Sequence, residues 1–158
     1  MIAEGKQIDT EQSTLRTVLE LATREVFDIM VNTKLELLTG KEPAELDITA
    51  MIGLAGSLCG VISVRCSSEA ARVIAARMLG VPTVESDRSM RDAVAEIVNM
   101  VAGNFKSKLS GSSHCMLSIP TVITGADYQL CAVDVGQIEQ LFVAFDKYPL
   151  TVSMELHS

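Results

Sequence analysis

The sequence predicts an α+β fold, a mostly antiparallel sheet of about six strands with long helices packed on one side. Three observations carry that expectation. Long runs with apolar residues at helical spacing alternate with short runs rich in Val, Ile and Thr. Those runs follow the order helix, two strands, helix, helix, four strands, which suits segregated helices rather than a parallel sheet with crossovers. In the final run, Leu150, Val152, Met154 and Leu156 alternate with Thr151, Ser153, Glu155 and His157, the pattern of a strand with one wet face. A chain of 158 residues with 48% hydrophobic content fits one domain, 1–158, with 1–10 as a flexible N-terminal segment.

Taken in order, Asp9 or Thr10 can cap a helix over about 11–38. Its Leu15, Val18, Leu19, Ala22, Val26, Ile29 and Met30 share one face, and Gly40 offers the stop. The runs "LDITAMIG" and "CGVISVRC", joined across "LAGSL", read as a hairpin. Ser67 or Ser68 then caps a shorter helix ending near Gly80, with Pro82 just beyond. A long helix over Arg91–Leu109 follows, opened by a Ser89–Asp92 capping box. The runs "MLSIPTVIT", "QLCAVDV", "QLFVAFD" and "LTVSMEL" read as strands, with turns at "GADY", "GQIE" and "KYP". The halves form a loose helix-strand-strand repeat, in which Glu25-x-x-Asp28 of the first helix echoes Glu96-x-x-Asn99 of the later one.

Composition narrows the function. The net charge is −7, and the 13 Lys and Arg residues form no basic cluster, which argues against a nucleic-acid partner. Aromatic residues make up 4% with no Trp, so there is no platform for stacking bases or sugars. The uncharged stretch from Ile48 to Val64 is interrupted by Gly53, Gly56 and Gly60, which suit a buried hairpin better than a bilayer span or a phosphate loop. The polar, acidic N-terminus lacks the regions of a secretory signal, so a cytoplasmic protein is expected. Cys59, Cys66, Cys115 and Cys131 show no C-x-x-C pair and read as buried thiols, with no metal site. His114 beside Cys115 would point to the opposite face of a strand, so the pair does not suggest nucleophilic chemistry.

The helix from Arg91 holds the residues of most chemical interest. At about 100° per residue, Val94, Ile97, Val98, Val101, Phe105 and Leu109 form one apolar stripe. Opposite it, Asp92, Glu96, Asn99 and Gly103 line one ridge. Glu96 and Asn99 lie about 60° apart around the axis and about 4.5 Å along it, so a carboxylate and a carboxamide reach one small volume. Ala95, Ala102 and Gly103 are small enough to let another molecule come close. The same spacing also describes an ordinary solvated helix face, and by itself it names no reaction.

"DAVAEIVNMVAGNFKSKL" followed by "LSIPTVITG", with the earlier "GLAGSLCGVISVRCSSEAARVIAARMLG", resembles the CheC/CheX family of chemotaxis phosphatases, most closely its CheX branch. The likeness runs from about Leu15 onward, its specific part being Asp92-x-x-x-Glu96-x-x-Asn99 and Pro120. It implies hydrolysis of the aspartyl phosphate on a CheY-type response regulator in chemotaxis or another two-component circuit. Asn99 would orient the attacking water and Glu96 would pair with the regulator's active-site lysine. The ridge carrying Asp92, Ala95 and Gly103 would form the partner-binding surface. It implies no cofactor on this chain, with Mg²⁺ on the partner, and a homodimer formed through sheet edges, for which the half-wet last strand is suited. The first helix has Asp28 where an active helix has the amide, so one working site per chain is expected. A regulator-binding adaptor without turnover, and a dimerisation module, are the alternatives.

Overall fold

The computed structural model describes residues 2–40, 45–109, 114–126, 128 and 135–157. Helix α1 (Ile2–Val26) runs into a π-helical turn, Phe27–Val31, and is followed by strand β1 (Glu36–Leu37). The hairpin β2 (Ile48–Ala55) and β3 (Gly60–Cys66) leads into α2 (Ser68–Leu79) and α3 (Asp87–Lys108). Then come β4 (Met116–Leu117), β5 (Thr121–Thr124), β6 (Val135–Phe145) and β7 (Tyr148–His157). The strands form one sheet in the order β1-β6-β7-β3-β2-β4, with β5 also paired to β2, and every pairing is antiparallel. The α+β architecture expected from the sequence is the one observed.

Helix ends differ from the expectation for identifiable reasons. The first helix begins at Ile2, so Asp9 and Thr10 lie inside it and 2–10 are helical. It stops well before Gly40, because Asn32 takes the left-handed conformation (φ 52°) and donates its backbone N–H to the Phe27 carbonyl. Asn tolerates that region better than other side-chain-bearing residues. The π turn buries both Phe27 and Val31 and sets the Phe27 ring 5.8 Å from that of Phe145. In α2 the caps match: Ser67 accepts from the Ala70 N–H, and Gly80 closes the far end.

The second half holds further departures. "MLSIPTVIT" splits into β4 and β5 around Ser118–Pro120, as a residue without a backbone N–H requires. "GQIE" is no turn but part of β6, which carries a bulge between Val135 and Gln137. Most of "QLCAVDV" (129–134) and part of "GADY" lie outside the described residues. The last strand, β7, lies inside the sheet between β6 and β3, and Thr151 and Ser153 on its second face are buried as well. A strand paired on both sides has no edge to offer, so the expected dimer contact through the last strand is overturned.

The core is aliphatic. Leu19, Ala22 and Val26 of α1, the inner stripe of α3, and Ile48, Ala50, Ile52, Ile62, Val64, Val152 and Met154 of the sheet form one buried cluster. The helix of each half covers strands of the other: α3 packs on β2 and β3, and α1 on β6. Where the hairpins meet, β3 and β7 approach so closely at Gly60 that a Cβ there would lie 2.0 Å from the Glu155 carbonyl oxygen.

Cys66 points into this core at the end of β3. Asp47 stands near it, accepting from the Ser68 N–H at 2.7 Å and from its hydroxyl at 2.8 Å. Burial, helped by the Asp47 charge, pushes the Cys66 thiol from 9.0 up to about 12. In the unfolded chain this thiol loses its proton near 9.0, whereas the folded chain keeps it until about 12. Across that window the folded state binds more protons, so stability falls as pH rises. Urea unfolding at stepped alkaline pH is expected to show this decline, and Cys66→Ala to lose less stability over the same steps, whatever its stability at neutral pH.

Candidate functional site

Helix α3 begins earlier than its sequence suggests. Ser86 is the N-cap, its hydroxyl accepting from the Ser89 N–H at 3.2 Å, so the proposed Ser89–Asp92 capping box does not form. Ser89 and Asp92 instead sit inside the helix, because it starts at Asp87, about one turn before Arg91. Asp92 is left on the exposed ridge, 3.9 Å from Arg88 in a solvent-washed i,i+4 pair that contributes little.

The inner stripe is as expected. Met90, Ala93, Val94, Ile97, Val98, Val101, Ala102 and Phe105 are all buried, and Leu109 is half-buried beyond the helix end. Burying that stripe fixes the rotation of the helix about its axis, and with it the direction of the opposite face. Glu96 is exposed and Asn99 half-buried, and neither side chain is hydrogen-bonded or ion-paired among the described residues. Ala95 and Gly103 flank them, both half-buried. Ala102, expected beside them as a small surface residue, is fully buried and belongs to the core.

Both ends of α3 are tied to neighbouring helices. Arg72 of α2 donates to the Glu85 carbonyl and pairs with Asp87 at 2.8 Å. At the other end Lys108 pairs with Glu25 of α1 at 2.8 Å. The sequence gives no hint of either tie, since the partners belong to different elements. The second one answers the Glu25-x-x-Asp28 echo: Glu25 is engaged by the chain's own Lys108, whereas Glu96 meets no lysine among the described residues. Asp28 and Glu25 instead line a cleft of about 320 Å³ with Arg24, Lys34 and Leu35.

Among the described residues no cluster of His, Cys, Asp or Glu is arranged to hold a metal, and no helix is long and apolar enough to cross a membrane. The arrangement on α3 therefore offers a carboxylate for a cation and a carboxamide that both donates and accepts hydrogen bonds.

A family model described as chemotaxis phosphatase CheX matches residues 48–145, which run from the β2–β3 hairpin through α2 and α3 to the end of β6. The chain belongs to the CheX family. A CheY-P phosphatase CheX from Thermotoga maritima is 32% identical over 85 residues, covering 52% of this chain and 55% of that relative. The match thus spans about half the length of the curated relative. Two solved structures share the fold. CheX from Desulfovibrio desulfuricans superposes with a TM-score of 0.77 at 22% identity, over 91% of this chain and 99% of that one. The CheX–CheY–BeF₃–Mg²⁺ complex from Borrelia burgdorferi gives 0.64 at 22% identity, over 90% and 97%.

Gly103 stands out in this CheX-family helix because nothing lies within 4 Å of the position a Cβ would take. Glycine inside a helix costs about 1 kcal/mol relative to alanine. Gly103→Ala is thus expected to raise the unfolding free energy of the isolated protein by about 1 kcal/mol, as read by chemical denaturation.

Proposed function

We propose that this protein hydrolyses the aspartyl phosphate of a CheY-type response regulator, docking on it through the outer ridge of α3. The observation that carries this reading is the outward Glu96 and Asn99 pair, free of partners among the described residues, on a helix whose rotation is fixed by its buried stripe. Two likenesses support it: the Thermotoga relative is a CheY-P phosphatase, and the Borrelia neighbour was solved with CheY, BeF₃ and Mg²⁺.

Asn99 is the catalytic residue of the scheme. Its carboxamide oxygen accepts from a water while its N–H donates to a phosphoryl oxygen, holding the water in line with the phosphorus without adding negative charge. The water oxygen forms the new bond to phosphorus as the bond to the regulator's aspartyl oxygen breaks. Inorganic phosphate and a free carboxylate leave, and the water's protons pass to phosphate and solvent. Glu96 pairs with the regulator's active-site lysine, aligning the proteins and converting a bimolecular attack into an oriented one. Mg²⁺ bound to the regulator neutralises the phosphoryl oxygens, so this chain needs no metal of its own. Asp92, Ala95 and Gly103 form the rest of the contact, with Gly103 leaving room for the partner's backbone.

The dimer belongs to the same reading, with β6 as its edge. Among the described residues β1 pairs with β6 at Val143 and Ala144, the Leu38 N–H donates to the Phe142 carbonyl and Arg16 to the Gln140 carbonyl, and Ile138 on the stretch before them is 55% exposed. A second copy adding its own β6 would satisfy that edge. Sedimentation should show Ile138→Lys shifted toward monomer.

The enzymatic test is to mix a phosphorylated CheY-type regulator from the same cell with the protein and two variants. Asn99→Ala is expected to keep binding and lose dephosphorylation by about 10²-fold or more, the scale of losing one oriented catalytic group. Glu96→Ala should weaken both binding and turnover. Equal rates for wild type and Asn99→Ala would remove the catalytic assignment, and binding without turnover in the wild type would make the protein an adaptor.

A further inference from the structure

The sequence reading treats the cysteines as buried thiols, yet Cys59 is exposed, at the end of the turn joining β2 to β3. Cys115, which precedes β4 on the other side of β2, is buried beneath that same turn. Three contacts place the two thiols around one short piece of backbone. The Cys59 thiol donates to the Gly56 carbonyl at 3.5 Å. The Cys115 thiol lies 3.9 Å from the Leu58 carbonyl oxygen, the group bonded directly to the Cys59 nitrogen. Gly56 itself presses on the second strand: a Cβ there would meet the His114 carbonyl oxygen at 2.0 Å and the Cys115 Cα at 3.4 Å.

These contacts bound the gap. A carbonyl oxygen lies on the order of 3 Å from the next Cα by standard peptide dimensions, so the Cys115 sulfur is within about 7 Å of the Cys59 Cα. In a disulfide, with its S–S bond of about 2.05 Å, that sulfur would stand on the order of 4 Å from the Cys59 Cα, so the gap to close is at most about 3 Å. The turn is exposed at Gly56, Ser57 and Cys59, with Gly56 at a φ of +111° and the Cys59 carbonyl accepting from the His157 N–H at 2.8 Å. Cys66 stays out of the chemistry, sealed in the core.

We propose that Cys59 and Cys115 are a paired oxidation site that forms an intramolecular disulfide under peroxide. The exposed Cys59 thiolate attacks the peroxide O–O bond, giving a sulfenic acid and releasing hydroxide. The Cys115 thiolate then attacks the Cys59 sulfur, the S–O bond breaks, and a second hydroxide leaves. Each hydroxide takes up a proton released by one thiol, so two thiols and one peroxide give one disulfide and two waters. The bridge ties the β2–β3 turn to the residues that enter β4.

The test treats the full chain, natively folded, with hydrogen peroxide, blocks remaining thiols with N-ethylmaleimide and maps the products by peptide mass spectrometry. The expected major product is a Cys59–Cys115 linked peptide that dithiothreitol separates. Cys59→Ser, an exposed change that leaves the core intact, should abolish the bridge and leave Cys115 as a thiol. Four outcomes would overturn the proposal: Cys59 ending as sulfinic or sulfonic acid with Cys115 unmodified, Cys59 bridging two chains, Cys59 pairing with Cys131, or both thiols surviving peroxide.

Discussion

The structure depends on one constraint, the burial of the inner stripe of α3 against the β2–β3 hairpin and the flanking helices. A rod with Val94, Ile97, Val98, Val101 and Phe105 sealed on one side has no freedom to turn about its axis. The opposite side is thereby aimed, and polar groups that would wander on a loop are held in fixed directions. Arg72 and Lys108 add little energy at their exposed positions, but they pin the two ends of the rod to α2 and α1. Residues with no catalytic chemistry thus decide where the carboxylate and carboxamide stand.

The loose repeat in the sequence becomes a mutual covering in the fold. Each half contributes a helix that lies on strands of the other, and the hairpins join through β3 and β7 at the sheet centre. The two helices are no longer equivalent in what they present. On α1 the acid of the echo is claimed by Lys108, and the position matching the amide is Asp28, whose charge would oppose a phosphoryl group. On α3 the acid and the amide are unclaimed among the described residues. Similar spacing on a helix therefore yields one occupied surface and one available one, and the difference lies in a residue 83 positions away.

What was legible in the sequence was whatever depends on near neighbours. The stripe of α3, the hairpin around "LAGSL" and the Ser67 and Gly80 caps of α2 all follow from local periodicity and capping chemistry. The early stop of the first helix was missed because a left-handed Asn32 outweighed the more familiar glycine at position 40. Asp92 fits a capping box with Ser89 in sequence, yet Ser86, three residues earlier, caps the helix and leaves both inside it. The interior place of β7 could not be read at all, since alternation reports which faces are wet and says nothing about which strand lies alongside. For the site, the residue types and their spacing were visible, whereas the depth of Ala102, the engagement of Glu25 and the exposure of Cys59 emerged only from tertiary packing.

The central position of β7 has a consequence for synthesis on the ribosome. Until Tyr148–His157 has been made, β3 and β6 lack the strand between them, and the edge that each turns toward β7 remains unpaired. Pairings between positions so far apart in the chain form slowly, because a long loop must close before any contact rewards it. A chain that has made its three helices but not yet β7 holds them over a sheet in two parts, each with an open strand edge, a state that invites chaperone binding and lasts until β7 forms.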